Sequence, residues 1–338
     1  VKNKKLMFTK SDLSDIIHNR KFSPEVNPVV EYFNTLSNEI EVDENQPLQE
    51  VEKWINSFHY NNGENSKAFW MDWFYGVVKN LTTNNYYDRM IVLSGKAGTG
   101  KTFSITSRLC QPFQQYFTSS FNWSTQNKDE LIKLSSYLFI FDDELKTSKK
   151  TDVDTIKAIT SYKETDIRKA YGKHSTRHKR IANFIGATNN KEFLTDLTGN
   201  RRFLVFDILG TDRELINSID YKKLWAEVWN YYYINKNESD LKDAVINENN
   251  ESYRSISVEE EALTECFDFS NTKDGQAINF DFAVTSFKDI IDYINGNTNR
   301  NLIEDNRTKS LLKSILSKQG IEQTRNNMYD EKQERWWF

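Results

Sequence analysis

Aromatic and aliphatic residues in the first part of the chain recur with the spacing of a buried helix. Between residues 66 and 81 they fall on one helical face, which predicts a helix with Ser66 as its N-cap. Core packing is the favoured interpretation of this face, and stacking on nucleic-acid bases is the alternative. The face consists of Phe69, Trp70, Trp73, Phe74, Val77, Val78 and Leu81.

Short apolar runs predict buried strands that alternate with helices. They cover residues 90–94, 137–141 and 181–188. Strands and helices in this order form a largely parallel sheet, which binds ligands at the carboxyl ends of its strands. We therefore predict an α/β fold. Short helices precede it, one of them beginning at Asn27-Pro28, and an aromatic-rich helix over residues 220–234 follows it.

The same pattern divides the chain into four parts. Residues 1–84 form an N-terminal helical region, residues 85–235 the sheet core, and residues 236–277 a linker or helical segment. Residues 278–338 carry two amphipathic helices and a two-stranded hairpin, a pattern typical of a winged helix. This module would bind DNA, or dock onto another subunit as a nearly equal alternative. The second of its helices turns three cations outward, namely Lys309, Lys313 and Lys318.

Composition narrows the class of protein. The 338 residues are 38% hydrophobic and 14% aromatic, enough for a substantial core, and the net charge is −4. Cys110 and Cys266 are too few for a disulfide framework, so we expect a reducing, cytoplasmic compartment. No apolar run approaches the roughly 18 residues of a membrane span, and we expect no membrane partner. Because the chain begins at Val1 rather than Met, we expect it to be part of a longer protein.

One segment matches the phosphate-binding loop G-x-x-x-x-G-K-[ST]. It follows a predicted strand and precedes a predicted helix, the context in which this motif cradles phosphate. Lys101 would reach the β- and γ-phosphates of ATP, and the Thr102 hydroxyl group would ligate Mg²⁺. The alternative is a flexible loop without a ligand. The segment consists of Gly95, Lys96, Ala97, Gly98, Thr99, Gly100, Lys101 and Thr102.

Acidic residues close the second predicted strand. An apolar strand that ends in carboxylates, downstream of a phosphate loop, matches a Walker B element. We assign Asp143 to Mg²⁺ and Glu144 to the attacking water, with Asp142 as the alternative metal ligand. Asn189 closes the third strand and would hydrogen-bond the γ-phosphate or that water. Taken alone, the acidic run is typical of a solvated loop, and Asn189 of a turn.

Cations cluster beyond these motifs. The guanidinium group of Arg201, or of Arg202 in its place, would stabilise transition-state charge on a neighbouring subunit's nucleotide, and a pair of surface arginines is the alternative.

Residues 168–180 hold six Lys or Arg and two His without an acidic residue, which favours a hairpin on the DNA backbone over a solvated face. The candidate DNA-binding residues are Arg168, Lys169, Tyr171, Lys173, His174, Arg177, Lys179 and Arg180.

Together, these motifs resemble the virulence-associated protein E family of mobile elements and phages, which is similar to superfamily 3 helicases of the AAA+ class. The resemblance covers residues 27–233 and is most specific from Asp166 to Phe203. It implies a P-loop AAA+ core with ATP and Mg²⁺ as cofactors, in a homo-hexameric ring around DNA with ATP at the subunit interfaces. It also implies that Lys173 and His174 form the tip of the DNA-binding hairpin.

The resemblance further implies an ATP-dependent DNA helicase that serves the replication of a mobile element or phage, with a primase or replication initiator among its partners. Two other classes stay open. A nucleotide-gated DNA-binding switch, such as a loader or transposition regulator, would hydrolyse ATP without unwinding. An interaction scaffold would carry a degenerate nucleotide site, but the intact Lys101 and Thr102 and the acidic run argue against it.

Overall fold

A computed structural model of the chain describes residues 9, 10, 12, 26–61, 63–145, 150–167, 176–194, 200–267, 286–318, 323–325 and 334–336. The chain folds into two units, and each is discontinuous in sequence. The first unit contains Val1–Leu145, Ala158–Asn189 and Arg202–Val245. The second contains Lys146–Lys157, Asn190–Arg201 and Ile246–Phe338.

The helices and strands are numbered along the chain. The helices are α1 (Pro28–Glu39), α2 (Gln49–Asn56), α3 (Ser66–Thr82), α4 (Lys101–Ser104), α5 (Lys128–Ser136), α6 (Lys150–Thr160), α7 (Arg213–Ser218), α8 (Tyr221–Trp229), α9 (Asp243–Glu251), α10 (Val258–Cys266), α11 (Phe287–Asn297) and α12 (Asn306–Lys318). The strands are β1 (Phe58–Tyr60), β2 (Met90–Ser94), β3 (Phe117–Thr118), β4 (Phe139–Asp142), β5 (Glu164–Ile167), β6 (Thr176–Lys179), β7 (Asn183–Thr188), β8 (Phe203–Thr211), β9 (Gln323–Arg325) and β10 (Glu334–Trp336).

A six-stranded sheet in the order β1-β8-β2-β7-β4-β3 forms the centre of the first unit. Five of its strands are parallel, and β1 pairs antiparallel with β8 at one edge. The predicted α/β fold with a largely parallel sheet is confirmed, and the predicted strands are β2, β4 and β7. The prediction lacks β8, although the first six residues of this strand are buried.

Aromatic side chains pack the helices onto the sheet. Trp70 of α3 stacks on Phe206 of β8 with ring centroids 5.1 Å apart, and Trp73 stacks on Phe139 of β4 at 5.7 Å. Both tryptophans are fully buried. Core packing of the α3 face is therefore confirmed, and stacking on bases is excluded because no edge of these rings reaches solvent.

Helix starts follow local capping chemistry. The Asn27 side chain caps α1, with Pro28 in the first turn, as the sequence predicts. At α3 the prediction is wrong by one residue, because Asn65 is the N-cap and Ser66 is already helical. The aromatic helix predicted over residues 220–234 is α8 with a π-helical continuation over Asn230–Ile234.

The second unit has its own apolar core, formed by α10, α11 and α12. Strands β9 and β10 pair antiparallel, so the two helices and the hairpin predicted for this part of the chain are present. Helices α9 and α10 lie within residues 236–277, the part of the chain predicted as a linker or helical segment. The buried residues of the core are Ala262, Leu263, Phe267, Ile290, Ile291, Ile294, Leu312, Ile315 and Leu316.

Candidate functional site

The phosphate loop connects β2 to α4 and lies against the end of β8. Gly98 and Gly100 have left-handed backbone conformations, with φ of 82° and 93°, which glycine adopts without steric cost. Space is also limited at Gly100, where a Cβ atom would lie 2.2 Å from the hydroxyl oxygen of Thr211. These glycines allow the tight curl of the backbone between β2 and α4 that an anion-binding loop requires.

Lys101 is buried, and its ammonium group is turned into the loop. Its Nζ atom donates to the carbonyl oxygens of Gly95 at 2.7 Å and Lys96 at 2.8 Å. Burial lowers the pKa of Lys101, and the charge of Asp143 partly offsets this effect. The ammonium group is therefore a poorly hydrated cation, and phosphate oxygens would be stronger acceptors for it than these carbonyl groups.

Thr102 and Asp143 meet although they come from different elements. The Thr102 hydroxyl group, in the first turn of α4, donates a hydrogen bond to Oδ1 of Asp143, the residue after β4. A hydroxyl oxygen and a carboxylate oxygen side by side are the hard ligands that Mg²⁺ prefers. The donor set at this point of the loop therefore fits the predicted metal.

Asp142, the alternative metal ligand, is engaged elsewhere. Its Oδ2 atom accepts a 2.7 Å hydrogen bond from the indole N–H of Trp123. Its Oδ1 atom accepts the backbone N–H of Glu144 at 3.2 Å. Both oxygens of Asp142 have protein donors, and Asp143 rather than Asp142 lines the pocket beside Thr102. This arrangement favours Asp143 as the metal ligand, and the assignment stays a prediction.

Asn189 reaches the same loop from the end of β7. Ser94 pairs with Thr188 in the sheet, and the Gly95 amide donates to the Thr188 carbonyl oxygen at 3.1 Å. This register brings the residue after β7 beside the loop, where Asn189 Oδ1 lies 3.5 Å from Lys101 Nζ. The side chain is thus within reach of whatever the ammonium group binds.

A pocket of about 350 Å³ lies between these groups. Glu144 is exposed on its wall, in a position compatible with the predicted contact to water. Phe103 and Arg213 are not among the predicted site residues. Phe103 directly follows the loop, but Arg213 follows β8, the strand that the prediction lacks. The lining residues are Ala97, Gly98, Thr99, Gly100, Lys101, Thr102, Phe103, Asp143, Glu144, Asn189 and Arg213.

The two arginines predicted as a finger lie in different units. Arg201 belongs to the second unit and is half-buried. Arg202 belongs to the first unit, where it pairs with Asp88 at 3.4 Å and donates to the Ser161 hydroxyl group at 3.2 Å. In the sheet, Phe203 pairs with Met90 at the amino ends of their strands. Arg202 therefore lies at the edge opposite the phosphate loop, away from the pocket of its own chain.

Strands β5 and β6, which flank residues 168–175, pair antiparallel, so the predicted hairpin is confirmed. The exposed Arg177 pairs across it with Glu164 at 3.5 Å and Asp166 at 3.4 Å. Lys179 is also exposed. Five candidate DNA-binding residues lie outside the described residues, namely Arg168, Lys169, Tyr171, Lys173 and His174.

Arg180 does not belong to the DNA-binding surface. It is 2% exposed, and its guanidinium group donates to the carbonyl oxygens of Thr160, at 2.7 Å, and of Tyr87. Burial lowers the pKa of this group to about 10. The prediction that Arg180 binds DNA is therefore wrong, because the side chain holds together three segments of the first unit.

The lysines predicted to face outward on α12 differ in their partners. Lys309 pairs with Glu304 at 2.7 Å, and Lys318 pairs with Glu251 at 3.0 Å. Lys313 is exposed. Carboxylates thus offset two of the three charges, so that α12 is less basic than the sequence suggests. Within the part of the chain that the structure describes, no helix has the length and apolarity needed to cross a bilayer.

Two solved structures are similar to this chain in fold. "The A form apo structure of NrS-1 C terminal region-CTR(305-718)" has a TM-score of 0.52 at 15% identity, covering 89% of this chain and 77% of that chain. "The apo structure of NrS-1 C terminal region (305-718)" has a TM-score of 0.53 at 16% identity, with the same 89% and 77% coverage. At such identities the likeness concerns the fold alone.

A family profile identifies the chain more specifically. No curated protein matches the chain. The profile of the virulence-associated protein E-like domain, however, matches residues 38–261, which is more than half of the sequence and includes all residues that line the pocket. The chain therefore belongs to the virulence-associated protein E-like family.

Proposed function

We propose that this chain is an ATP-dependent DNA helicase of the superfamily 3 type, with a P-loop AAA+ core, that serves the replication of a mobile element or phage. One observation carries the proposal. Strand β7 joins the nucleotide pocket at one end to the hairpin at the other. Asn189 follows its carboxyl end, 3.5 Å from Lys101, and β6 leads into its amino end through residues 180–182.

The central position of β7 supports mechanical coupling. The strand spans six residues, or about 20 Å. It is hydrogen-bonded to β2 on one side and to β4 on the other, and these strands carry the phosphate loop and the acidic run. A displacement of Asn189 during hydrolysis would therefore reach the base of the hairpin along a single rigid element.

The residues of the pocket have complementary chemical roles in this proposal. Lys101 and the loop amides bind the β- and γ-phosphates, and Thr102 and Asp143 hold Mg²⁺, which neutralises phosphate charge when bound. Glu144 orients the attacking water, and Asn189 hydrogen-bonds this water or the γ-phosphate. Arg201 supplies positive charge to the nucleotide of a neighbouring subunit.

DNA and further copies of the chain are the proposed partners. A homo-hexameric ring would bring hairpin tips, with Lys173 and His174, into a central channel that holds DNA. ATP would lie at the subunit interfaces, and a primase or replication initiator would act with the ring. This part of the proposal comes from the family resemblance.

The charge of the hairpin supports a second candidate, a DNA-binding switch that hydrolyses ATP without unwinding. Glu164 and Asp166 on β5 neutralise Arg177 on β6. Contact with the DNA backbone then depends on residues 168–175 and Lys179 rather than on the whole hairpin. A smaller contact suffices for binding but resists the load of strand separation less well.

Hydrolysis and strand separation distinguish these candidates. We expect single-stranded DNA to stimulate ATP hydrolysis and ATP to drive separation of a forked duplex. A switch would bind DNA and hydrolyse ATP but leave the duplex paired, and a scaffold would do neither. Lys101→Ala serves as the negative control, since it should abolish hydrolysis. Lys67→Ala is the matched control, because it removes an exposed lysine that lies far from the pocket residues in sequence. Absence of hydrolysis by the unaltered chain with DNA and Mg²⁺ would contradict the proposal.

A further inference from the structure

Arg213 lines the pocket, and the proposed hydrolysis does not use it. It is the first residue of α7, and its backbone is fixed by the preceding residue. The Asp212 amide donates to the Ser57 carbonyl oxygen at 2.8 Å, and the Asp212 side chain accepts the Leu215 amide at 2.9 Å. The direction in which Arg213 leaves the backbone is therefore set by the end of β8 and the cap of α7.

The end of β8 is itself held against the phosphate loop. A Cβ atom at Gly95 would lie 2.2 Å from the Ile208 carbonyl oxygen, and one at Gly100 would lie 2.2 Å from the Thr211 hydroxyl oxygen. Such close approaches leave no room for any side chain at these two positions. The loop and the start of α7 are thus kept at a fixed separation, and Arg213 is part of the pocket wall.

The guanidinium group of Arg213 lies over the ring of Phe103. The guanidinium carbon lies 5.7 Å from the centre of the Phe103 ring, and that of Arg108 lies 4.9 Å from it. Asn217 Oδ1 accepts two hydrogen bonds from Arg108, at 2.7 Å and 3.2 Å. No carboxylate within the described ranges pairs with Arg213, whose charge is available to a ligand.

The order of the strands gives the pocket two different ends. Glu144, Asp143 and Asn189 enter it from β4 and β7, on one side of β2. Arg213 enters from β8, on the other side. Since the groups proposed to act on the γ-phosphate lie on the first side, the α-phosphate and the nucleoside extend toward the second.

We propose that Arg213 binds the α-phosphate of the nucleotide held by its own chain and that the Phe103 ring orients its guanidinium group. This inference rests on the proposed ATP site and adds a nucleoside-phosphate contact to it. A guanidinium group offers parallel N–H donors to phosphate oxygens, and an aromatic ring supports it without competing for those donors.

The proposed position of Arg213 at the α-phosphate predicts a role in nucleotide binding rather than in bond cleavage. Cleavage of the bond to the γ-phosphate leaves the charge of the α-phosphate unchanged, so the contact has the same strength in the substrate and in the transition state. Removal of such a uniform contact weakens binding and is expressed in KM. Arg201, by contrast, is proposed to act on a neighbour's nucleotide during cleavage.

Nucleotide binding without DNA tests this inference. We expect Arg213→Ala to raise the Kd for ADP and the KM for ATP by about tenfold each. Arg213→Lys should recover part of the affinity, because it keeps the charge but loses the paired donors. Phe103→Leu should weaken ADP binding less than Arg213→Ala, since the guanidinium group remains but is less well oriented.

The controls separate this inference from the proposed function. Lys222→Ala removes an exposed cation of α8 outside the pocket and should leave ADP binding unchanged. Thermal unfolding without nucleotide checks that each variant is folded. If the unaltered chain binds ADP and Arg213→Ala binds it equally well, this inference is wrong and the ATP site stands. A loss confined to kcat would also overturn it, whereas failure of the unaltered chain to bind ADP would remove the ATP site itself.

Discussion

The indole N–H of Trp123 donates a 2.7 Å hydrogen bond to Oδ2 of Asp142, across 19 residues of sequence. The other oxygen of Asp142 accepts the backbone N–H of Glu144 at 3.2 Å. Asp143, between them, accepts the Thr102 hydroxyl group instead. The two adjacent aspartates thus have different environments, and these environments imply different chemical roles.

Exchange of each aspartate for asparagine tests this division. Asp143→Asn should lower ATP hydrolysis at saturating Mg²⁺ on the order of 100-fold, because it removes the charge proposed to hold Mg²⁺. Asp142→Asn should lower activity only a few-fold, since its amide oxygen keeps the Trp123 hydrogen bond although its amide nitrogen cannot accept the Glu144 N–H. Steady-state rates of the two purified variants give the comparison. The reverse order of activities would assign the metal to Asp142.

Trp123 is expected to position Glu144 through Asp142. In Trp123→Phe the ring contacts with Phe121 and Phe184 can persist, but the N–H donor is lost. We expect kcat to fall about fivefold with an unchanged KM for ATP, because a misplaced Glu144 affects only the attacking water. Phe121→Leu disturbs the same ring cluster without touching the hydrogen bond and is the matched control. Equal losses in both variants would indicate a packing effect alone.

Arg180 is expected to contribute to stability rather than to DNA binding. Arg180→Gln would leave the carbonyl oxygens of Thr160 and Tyr87 without their charged donor, at a cost of about 2–4 kcal/mol in the free energy of unfolding. Urea denaturation measures this cost. Arg177→Gln, at an exposed position of the same hairpin, should change stability by no more than about 0.5 kcal/mol. A stable Arg180→Gln variant with weakened DNA binding would restore Arg180 to the interface.

Glu227 should make the first unit less stable as the pH rises. Its Oε2 atom accepts the amides of Glu50 and Val51 at 2.9 Å and 3.1 Å, while its Oε1 atom is buried without a partner among the described residues. Burial raises the pKa of Glu227 from 4.5 to about 7 despite these two hydrogen bonds. The folded chain therefore holds this proton over a range in which the unfolded chain has released it.

Stability is then highest below pH 4.5 for this group and declines as the pH rises toward 7. The rise from 4.5 to about 7 corresponds to at most about 3.5 kcal/mol, at about 1.4 kcal/mol per pKa unit, and solvent screening reduces this value. Glu227→Gln should remove this part of the pH dependence, so the difference in unfolding free energy between variant and unaltered chain is the quantity to measure. A difference that is constant between pH 5 and pH 8 would show that Glu227 does not titrate in this range.

Local sequence determined the elements that need no distant partner. The spacing of glycines and lysine in residues 95–102 predicts a tight loop between β2 and α4, and short apolar runs identify β2, β4 and β7. Backbone conformation and the burial of continuous apolar segments are local properties. The confirmed hairpin β5–β6 and the Asn27 cap have the same origin. Parallel pairing of these strands follows from their alternation with helices.

Tertiary structure alone decided which polar groups meet. Asp142 and Asp143 are adjacent residues of the same type, and the sequence leaves Asp142 as an alternative to Asp143. Trp123 and Thr102, brought from other segments, give the two side chains different partners. Arg180 belongs by sequence to a basic run, but its guanidinium group binds a carbonyl group 93 residues away. Arg213 enters the pocket because β8 inserts between β1 and β2. A side chain's partner depends on the packing of segments remote in sequence, and no local pattern encodes that distance.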